Sequence, residues 1–326
     1  MVATRLGEFE RIARFFAPLA APGALGLTDD VAFIDGPDGE EYVLKTDAIV
    51  EGVHFLPDDP PDLVARKLLR VNLSDLAGKG AAPVGYLLMT ALPRSRDEEW
   101  LAAFAAGLAA DQSAYGIGLL GGDSTATEGP ATLSATVIGR VARGRAVLRS
   151  TAKPGNLVYV SGTLGDAALG LLALRGELPE LDGAHLAFLA DRYRLPQPRV
   201  ALGQRLLGVA QAMMDISDGL VGDLGHICET SGVGATIEAA ALPLSPAARA
   251  VVAAEPDRLL AALGGGDDYE LLLTVPARKA AAIPMLAAET GVPLTHIGRI
   301  EAGKGVSVVD AAGKAMPVQV AGYRHF

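Results

Sequence analysis

The 326-residue chain has one cysteine, Cys228, so no internal disulfide can form. It sits in an apolar, helix-like stretch from Leu220 to Glu229 and reads as a buried thiol. No apolar run approaches the roughly 20 residues needed to span a bilayer. The N-terminus carries Arg5, Glu8, Glu10 and Arg11 in place of a continuous apolar signal segment. A soluble, cytoplasmic protein is therefore expected, with no membrane partner. Positive charge is also short: 28 Lys and Arg against 38 Asp and Glu give a net charge of −10. That balance opposes nucleic acid or anionic lipid as a partner, and a phosphorylated substrate would need metal ions as intermediaries.

The common phosphate-handling motifs are missing too. No G-x-x-x-x-G-K-[ST] loop occurs, nor the His-Arg-Asp loop of protein kinases. Gly116-Ile117-Gly118-Leu119-Leu120-Gly121 has dinucleotide-loop spacing, but such a loop must follow a strand and open a helix. Here a helical pattern precedes the glycines, and Ile117 to Leu120 reads as the strand itself.

What is present is an alternation of helices and strands in a chain that is 50% hydrophobic. Phe9, Ile12, Phe15 and Phe16 recur at helical spacing. Val31 to Ile34 and Tyr42 to Leu44 read as strands around the turn Gly36-Pro37-Asp38-Gly39. Asp62 and Asp97 are placed to cap helices, and Thr132 to Val141 predicts another strand. The segment containing Gly144, Lys153, Pro154 and Gly155 reads as a linker before a strand at Leu157 to Val160. Beyond it come helices after Asp166 and near Val200 to Ala210, then strands at Leu271 to Val275 and Val306 to Val309. The length favours two domains. They divide near residue 150, into 1–150 and 151–326, each mixing α with β.

The chemistry is carried by aspartates beside glycines or small hydroxyls: Asp29-Asp30, Thr46-Asp47, Asn72-Leu73-Ser74-Asp75, Gly121-Gly122-Asp123 and Asp215-Ile216-Ser217-Asp218-Gly219. Each has an ordinary explanation: Asp30 and Asp123 as turn residues, Asp75 and Asp218 as helix caps, Asp47 as a strand end. Gathered in one place they would repel one another unless cations were bound, and hard oxygen ligands suit Mg²⁺. Gly264-Gly265-Gly266-Asp267-Asp268-Tyr269-Glu270 reads as a ligand-approaching loop or as a plain flexible one. His54 fits a loop histidine, a ligand contact or a proton shuttle. Arg149, the last of a basic run, could neutralise phosphate.

Taken in order, these segments resemble the thiamine-monophosphate kinase family, within the superfamily of aminoimidazole ribonucleotide synthetase. The resemblance runs from Gly7-Glu8-Phe9 through Glu51-Gly52-Val53-His54-Phe55, Lys153-Pro154-Gly155 and Asp223-Leu224-Gly225-His226-Ile227 to Gly322-Tyr323, nearly the whole chain. Asn-Leu-Ser-Asp marks only the superfamily, whereas Gly-Val-His-Phe and Gly-Gly-Asp-Asp-Tyr-Glu are more specific.

The resemblance implies a two-domain α/β (α+β) fold with mixed and antiparallel sheets flanked by helices. It implies a homodimer paired through the N-terminal sheet, and an active site in the cleft between domains. Asp30, Thr46, Asp47, Asp75, Asp123, Asp215 and Asp218 would hold several Mg²⁺ ions. Gly122, Asp123, Arg149 and Ser217 would contact ATP, and His54, Asp267 and Tyr323 the thiamine monophosphate.

Thr28 and Lys45 depart from the family pattern, which often has glycine and a small hydroxyl residue there. At position 45 only the backbone carbonyl could serve a metal. Asp267 stands where glutamate is common. The implied reaction is direct in-line transfer from ATP to thiamine monophosphate, with no general base. The rivals are another ATP-using synthetase of the superfamily or a non-catalytic nucleotide- or metal-binding protein. The lone Cys228 disfavours the selenophosphate synthetase and hydrogenase-maturation relatives, in which a reactive cysteine is expected elsewhere.

Overall fold

The turn predicted at Gly36 to Gly39 closes a hairpin, with Asp38 and Gly39 both at positive φ (53° and 78°). The structure is a computed structural model that describes residues 7–178 and 181–317. The hairpin joins β1 (Ala32–Asp35) to β2 (Glu40–Val50), and the first sheet continues with β3 (Ala82–Pro93), β4 (Gly118–Thr127) and β5 (Thr132–Ala142). Its order is β1-β2-β5-β3-β4, antiparallel except for the parallel β3–β4 pair.

Period-two burial orients this sheet: Leu133, Ala135 and Val137 are fully buried, while Thr132, Ser134 and Thr136 between them face outward. Along β4 every residue from Gly118 to Ala126 is exposed.

The N-terminal helix begins as α1 (Glu8–Arg11) and continues as a π turn through Ile12–Phe16. Its predicted apolar face is not packed into the core, since Phe9, Phe15 and Phe16 are each more than half exposed. The central element is α2 (Pro61–Lys79), whose residues from Asn72 to Lys79 are all buried. Asp62 lies in its first turn instead of capping it, because Pro61 opens the helix and its missing N–H needs no cap. Asp97 caps α3 (Glu98–Tyr115) as expected, accepting from the Trp100 N–H. That helix runs into β4 through Gly116, so the Gly116–Gly121 run follows a helix and enters a strand.

Beyond the short 3-10 turn Arg149–Thr151 come β6 (Asn156–Ser161), α4 (Asp166–Leu174), α5 (Gly183–Arg194) and α6 (Val200–Arg205). Next are β7 (Ala212–Asp215), α7 (Leu220–Ser231), β8 (Gly234–Glu238), α8 (Pro246–Ala254) and α9 (Leu259–Gly264). The last elements are β9 (Leu271–Pro276), α10 (Ile283–Thr290), β10 (Leu294–Glu301) and β11 (Gly305–Val309). The second sheet has the order β11-β8-β10-β6-β9-β7 and is antiparallel except for β8–β11.

Strand alternation also explains how the sheets share α2. Met213, Leu271, Leu273 and Val275 join the core around α2, while Met214 and Leu272 join the core around α7. Covered on both faces, β9 is buried throughout and apolar except for Thr274, whose hydroxyl accepts from the Ala212 N–H at 3.0 Å. Gly78 permits the close approach, since a Cβ there would lie 3.2 Å from the Met214 Cα. Cys228 is buried on α7, as its setting in the sequence predicted.

Candidate active site

Lys45 and Asp47, two apart on β2, share the face turned toward α2. Asn72, Asp75 and Lys79 occupy the facing side of that helix at spacings of three and four. Asn72 locks the two elements together: its Oδ1 accepts from the Asp47 N–H at 2.9 Å, and its Nδ2 donates to the Leu68 carbonyl at 2.9 Å. Asp47 is thus mid-strand and Asp75 mid-helix, so neither is the strand end or helix cap that local pattern allows.

Around this seam the charges interleave. Lys45 Nζ lies 3.3 Å from Asp47 Oδ1 and 3.2 Å from Asp75 Oδ2. Lys79 Nζ lies 2.8 Å from Asp29 Oδ1 and 2.9 Å from Asp30 Oδ2. Arg149 donates from Nη1 to Asp30 Oδ1 at 2.7 Å and from Nε to the Thr28 carbonyl at 2.7 Å. Burial opposes the Asp30 charge, but Lys79 and Arg149 hold its carboxyl well below the usual range. Burial pushes Asp75 well up against the pull of Lys45, and pushes Asp215 up to about 6.

β7 delivers Asp215, and the turn after it delivers Ser217 and Asp218. Asp223 of α7 braces that turn, its Oδ2 accepting the N–H groups of Ser217 and Asp218 at 3.1 Å each. Carboxylate oxygens of Asp218 and Asp223 and a ring nitrogen of His226 lie within 4.8 Å of one another, close enough to hold a cation. The glycine-rich loop packs backbone to backbone on the turn: Asp267 N–H donates to the Ser217 carbonyl at 2.9 Å, and a Cβ on Gly266 would sit 2.2 Å from that oxygen. It is a fitted loop, not a slack one.

At the other end, His54 stands in the turn after β2, its Nδ1 accepting from the Val50 N–H at 3.1 Å. Lys67 of α2, almost wholly buried, donates to the His54 carbonyl at 2.7 Å and to Asp267 Oδ2 at 3.0 Å. Its ammonium lies 3.8 Å from the centroid of the Tyr193 ring.

These groups surround one cavity of about 560 Å³. Of the residues expected from sequence, Asp30, Asp47, His54, Arg149, Ser217, Asp218 and Asp267 line it. Asp75 and Asp215 are buried beside that lining. The Thr46 side chain points to the other face of the sheet, where its hydroxyl donates to the Ala135 carbonyl at 3.2 Å and accepts from Thr136 at 3.0 Å. Gly122 and Asp123 lie on the exposed edge strand β4, with β5 and β3 between them and β2, and do not reach this cavity within one chain. Tyr323 lies outside the described residues.

Sequence reasoning assigned no role to Lys67, Lys79, Tyr193, Asp223 or His226. A lysine among the core-facing positions of an apolar helix was the available signal for Lys67 and Lys79. The spacing of Asp223 and His226, one helical turn apart, was the signal for that pair.

The donor set fits a hard divalent ion: seven aspartates, Asp29, Asp30, Asp47, Asp75, Asp215, Asp218 and Asp223, gather around three cationic side chains, Lys45, Lys79 and Arg149. Buried carboxylates whose affinity for protons is raised are sites where a bound cation relieves repulsion. A mixed α/β fold with an acidic cleft between two sheets defines the class. The N-terminal domain of AIR synthase related proteins matches residues 28–141, and the C-terminal domain of the same proteins matches residues 153–311.

Within that class the chain belongs to the thiamine-monophosphate kinase family. It is 45% identical to the thiamine-monophosphate kinase of Caulobacter vibrioides over 305 residues, 92% of this chain and 86% of that protein. The crystal structure of the thiamine-monophosphate kinase from Stenotrophomonas maltophilia K279a is 41% identical with a TM-score of 0.79, covering 92% of this chain and 94% of that one. The structure of AaThiL complexed with AMPPCP and TMP is 32% identical with a TM-score of 0.87, covering 100% of both chains.

Proposed function

We propose that this chain transfers the γ-phosphoryl group of ATP to thiamine monophosphate, giving thiamine diphosphate and ADP. One observation carries the reading: a single cavity, in a member of this family, joins the aspartate cluster and Arg149 at one end to His54 and Asp267 at the other. The relative bound to AMPPCP and TMP supports a site for a nucleotide and a phosphorylated acceptor side by side.

The acceptor phosphate has a second pKa of about 6, so at neutral pH its oxygen is already a nucleophile and needs no general base. His54 fits that requirement: with Nδ1 accepting from Val50, the ring is set as an Nε2–H donor, suited to orient an anion. Arg149, fixed by Thr28 and Asp30, places permanent positive charge beside the cluster. Asp30, Asp47, Asp75, Asp215 and Asp218 would hold Mg²⁺, and Asp223 holds the Asp218 turn in place. The bound ions would offset the repulsion between two polyanions and favour in-line alignment. Asp267 and Tyr323 are assigned to the acceptor and Ser217 to ATP; Thr46 would serve the metal set only through its backbone carbonyl, and Gly122 and Asp123, assigned to ATP and the metal set, would reach a cavity only from the second copy of the chain.

The same reading gives an N-terminal domain of residues 1–150 that binds ATP and Mg²⁺, and a domain of residues 151–326 that completes the cleft. It places the enzyme in the cytoplasm, where ATP is available. It pairs two copies through the first sheet, whose exposed Leu87, Met89, Leu119 and Leu120 suit an apolar interface.

A coupled assay of ADP release tests the activity. Release is expected with thiamine monophosphate and Mg²⁺, and not with thiamine or an aminoimidazole ribonucleotide precursor. Binding of ATP without release would leave a non-catalytic binding protein, and a phosphorylated enzyme in single turnover would overturn direct transfer.

A further inference from the structure

Among the described residues, Lys45 is the one lysine whose nitrogen bridges carboxylates of two elements that the proposed function gives to Mg²⁺. Its ammonium sits between strand and helix, 3.3 Å from Asp47 Oδ1 and 3.2 Å from Asp75 Oδ2. The side chains of Lys45 and Asp75 are 16% and 6% exposed, so solvent screens this contact little.

We propose that Lys45 is a built-in cation that takes the place of one divalent ion between Asp47 and Asp75, so that this chain binds fewer metal ions than its aspartates would otherwise draw. The inference rests on the reading of the cleft as a Mg²⁺ site.

The physical ground is exclusion. A Mg²⁺ ion approaches its oxygens to about 2.0–2.1 Å and holds a nearly octahedral shell. An ion bridging these two carboxylates would occupy the space of the ammonium, and like-charge repulsion between neighbours prevents both from sitting there. The ammonium has little reason to leave. Carboxylates of β2 and α2 hold it from two sides, at 3.3 and 3.2 Å. The bridge also differs in kind from the Lys79 contacts. Lys79 ties the adjacent residues Asp29 and Asp30, which one loop presents together, whereas Lys45 ties β2 to α2. A fixed charge here would keep the strand–helix seam closed even when no metal is bound.

The test counts ions directly. Mn²⁺ bound per chain is measured by electron paramagnetic resonance on the full-length protein without nucleotide, for wild type, K45S, K45M and K45R. Thermal melts are recorded with and without Mg²⁺. K45S and K45M are expected to bind one more ion per chain, with a larger Mg²⁺-induced rise in melting temperature. K45R, which keeps the charge, is expected to match wild type. A K45S protein that melts cooperatively only when Mg²⁺ is present also supports the proposal, because a divalent ion then replaces the missing ammonium. Should K45S prove unfolded in every buffer, the comparison of K45M with K45R decides. Equal ion counts and equal melting shifts in K45M, K45R and wild type overturn the proposal while leaving the Mg²⁺ reading intact. A wild-type protein that binds no Mn²⁺ at all overturns both.

Discussion

Lys67 Nζ and Asp267 Oδ2 lie 3.0 Å apart, one from the first-sheet side of the cleft and the other from the glycine-rich loop of the second. The lysine side chain is 2% exposed and the aspartate 29%, so the two partners are unequally exposed to solvent. Lys67 also holds the His54 carbonyl, so one ammonium fixes His54 and Asp267, two of the residues assigned to the acceptor. Replacing it by methionine is expected to raise the KM for thiamine monophosphate roughly tenfold, the consequence of about 1.4 kcal/mol of lost positioning. The kcat and the KM for ATP should change far less. K67R should recover part of the loss. Steady-state kinetics with each substrate varied checks this, and a fall in kcat alone would argue against a positioning role.

Asp47 and Asp123 separate what one chain brings together from what it leaves apart. D47N removes a ligand charge from the lined cavity and should lower turnover by about 10²-fold or more with the fold intact. D123N is expected to do the same, although Asp123 stands on the exposed edge strand β4. Turnover at saturating Mg²⁺, with circular dichroism as the control for folding, measures both. Wild-type activity in D123N would remove that residue from the site.

Glu270 is fully buried and receives Arg192 at 3.0 Å, Arg199 at 2.7 Å through Nε, and the Ser161 hydroxyl. Truncation to alanine strands two arginines without their counter-ion. A cost of about 3–5 kcal/mol is expected for breaking such a buried pair. The midpoint of urea unfolding should fall accordingly, and E270Q, which keeps the shape and half the acceptors, should fall less.

Burial pushes the Cys228 thiol from an ordinary 9.0 up to about 11. At pH 8 it should therefore resist a thiol-specific reagent in the native state and react at once in urea. The linkage has a definite sign. The folded state holds this proton more tightly, so its contribution is present below about pH 9 and lost as pH rises through about 11. C228A should show a shallower alkaline loss of stability than wild type. An equal slope in denaturation curves from pH 8 to 11 would exclude Cys228 as a contributor.

Much of the local structure was legible in the sequence. Alternating apolar residues set β5, Asp97 set the start of α3, and the Gly36–Gly39 turn set the first hairpin, because each depends on neighbours only a few positions away. The order of the aspartate-bearing segments marked the family. Local pattern misjudged Asp62, since a proline next to it opened the helix first.

The site itself was decided by tertiary structure. Lys67 and Asp267 are 200 positions apart, and Ser161 and Glu270 are 109 apart. No local periodicity records such pairs; the first arises because α2 carries Lys67 against the glycine-rich loop, the second because β6 and β9 are neighbours in the second sheet. The sequence by itself determined that carboxylates, glycines and one arginine would be available. Packing decided that Lys45, Lys67 and Lys79 would be buried among those carboxylates as internal cations, because a buried charge is tolerated only where the fold supplies its partner.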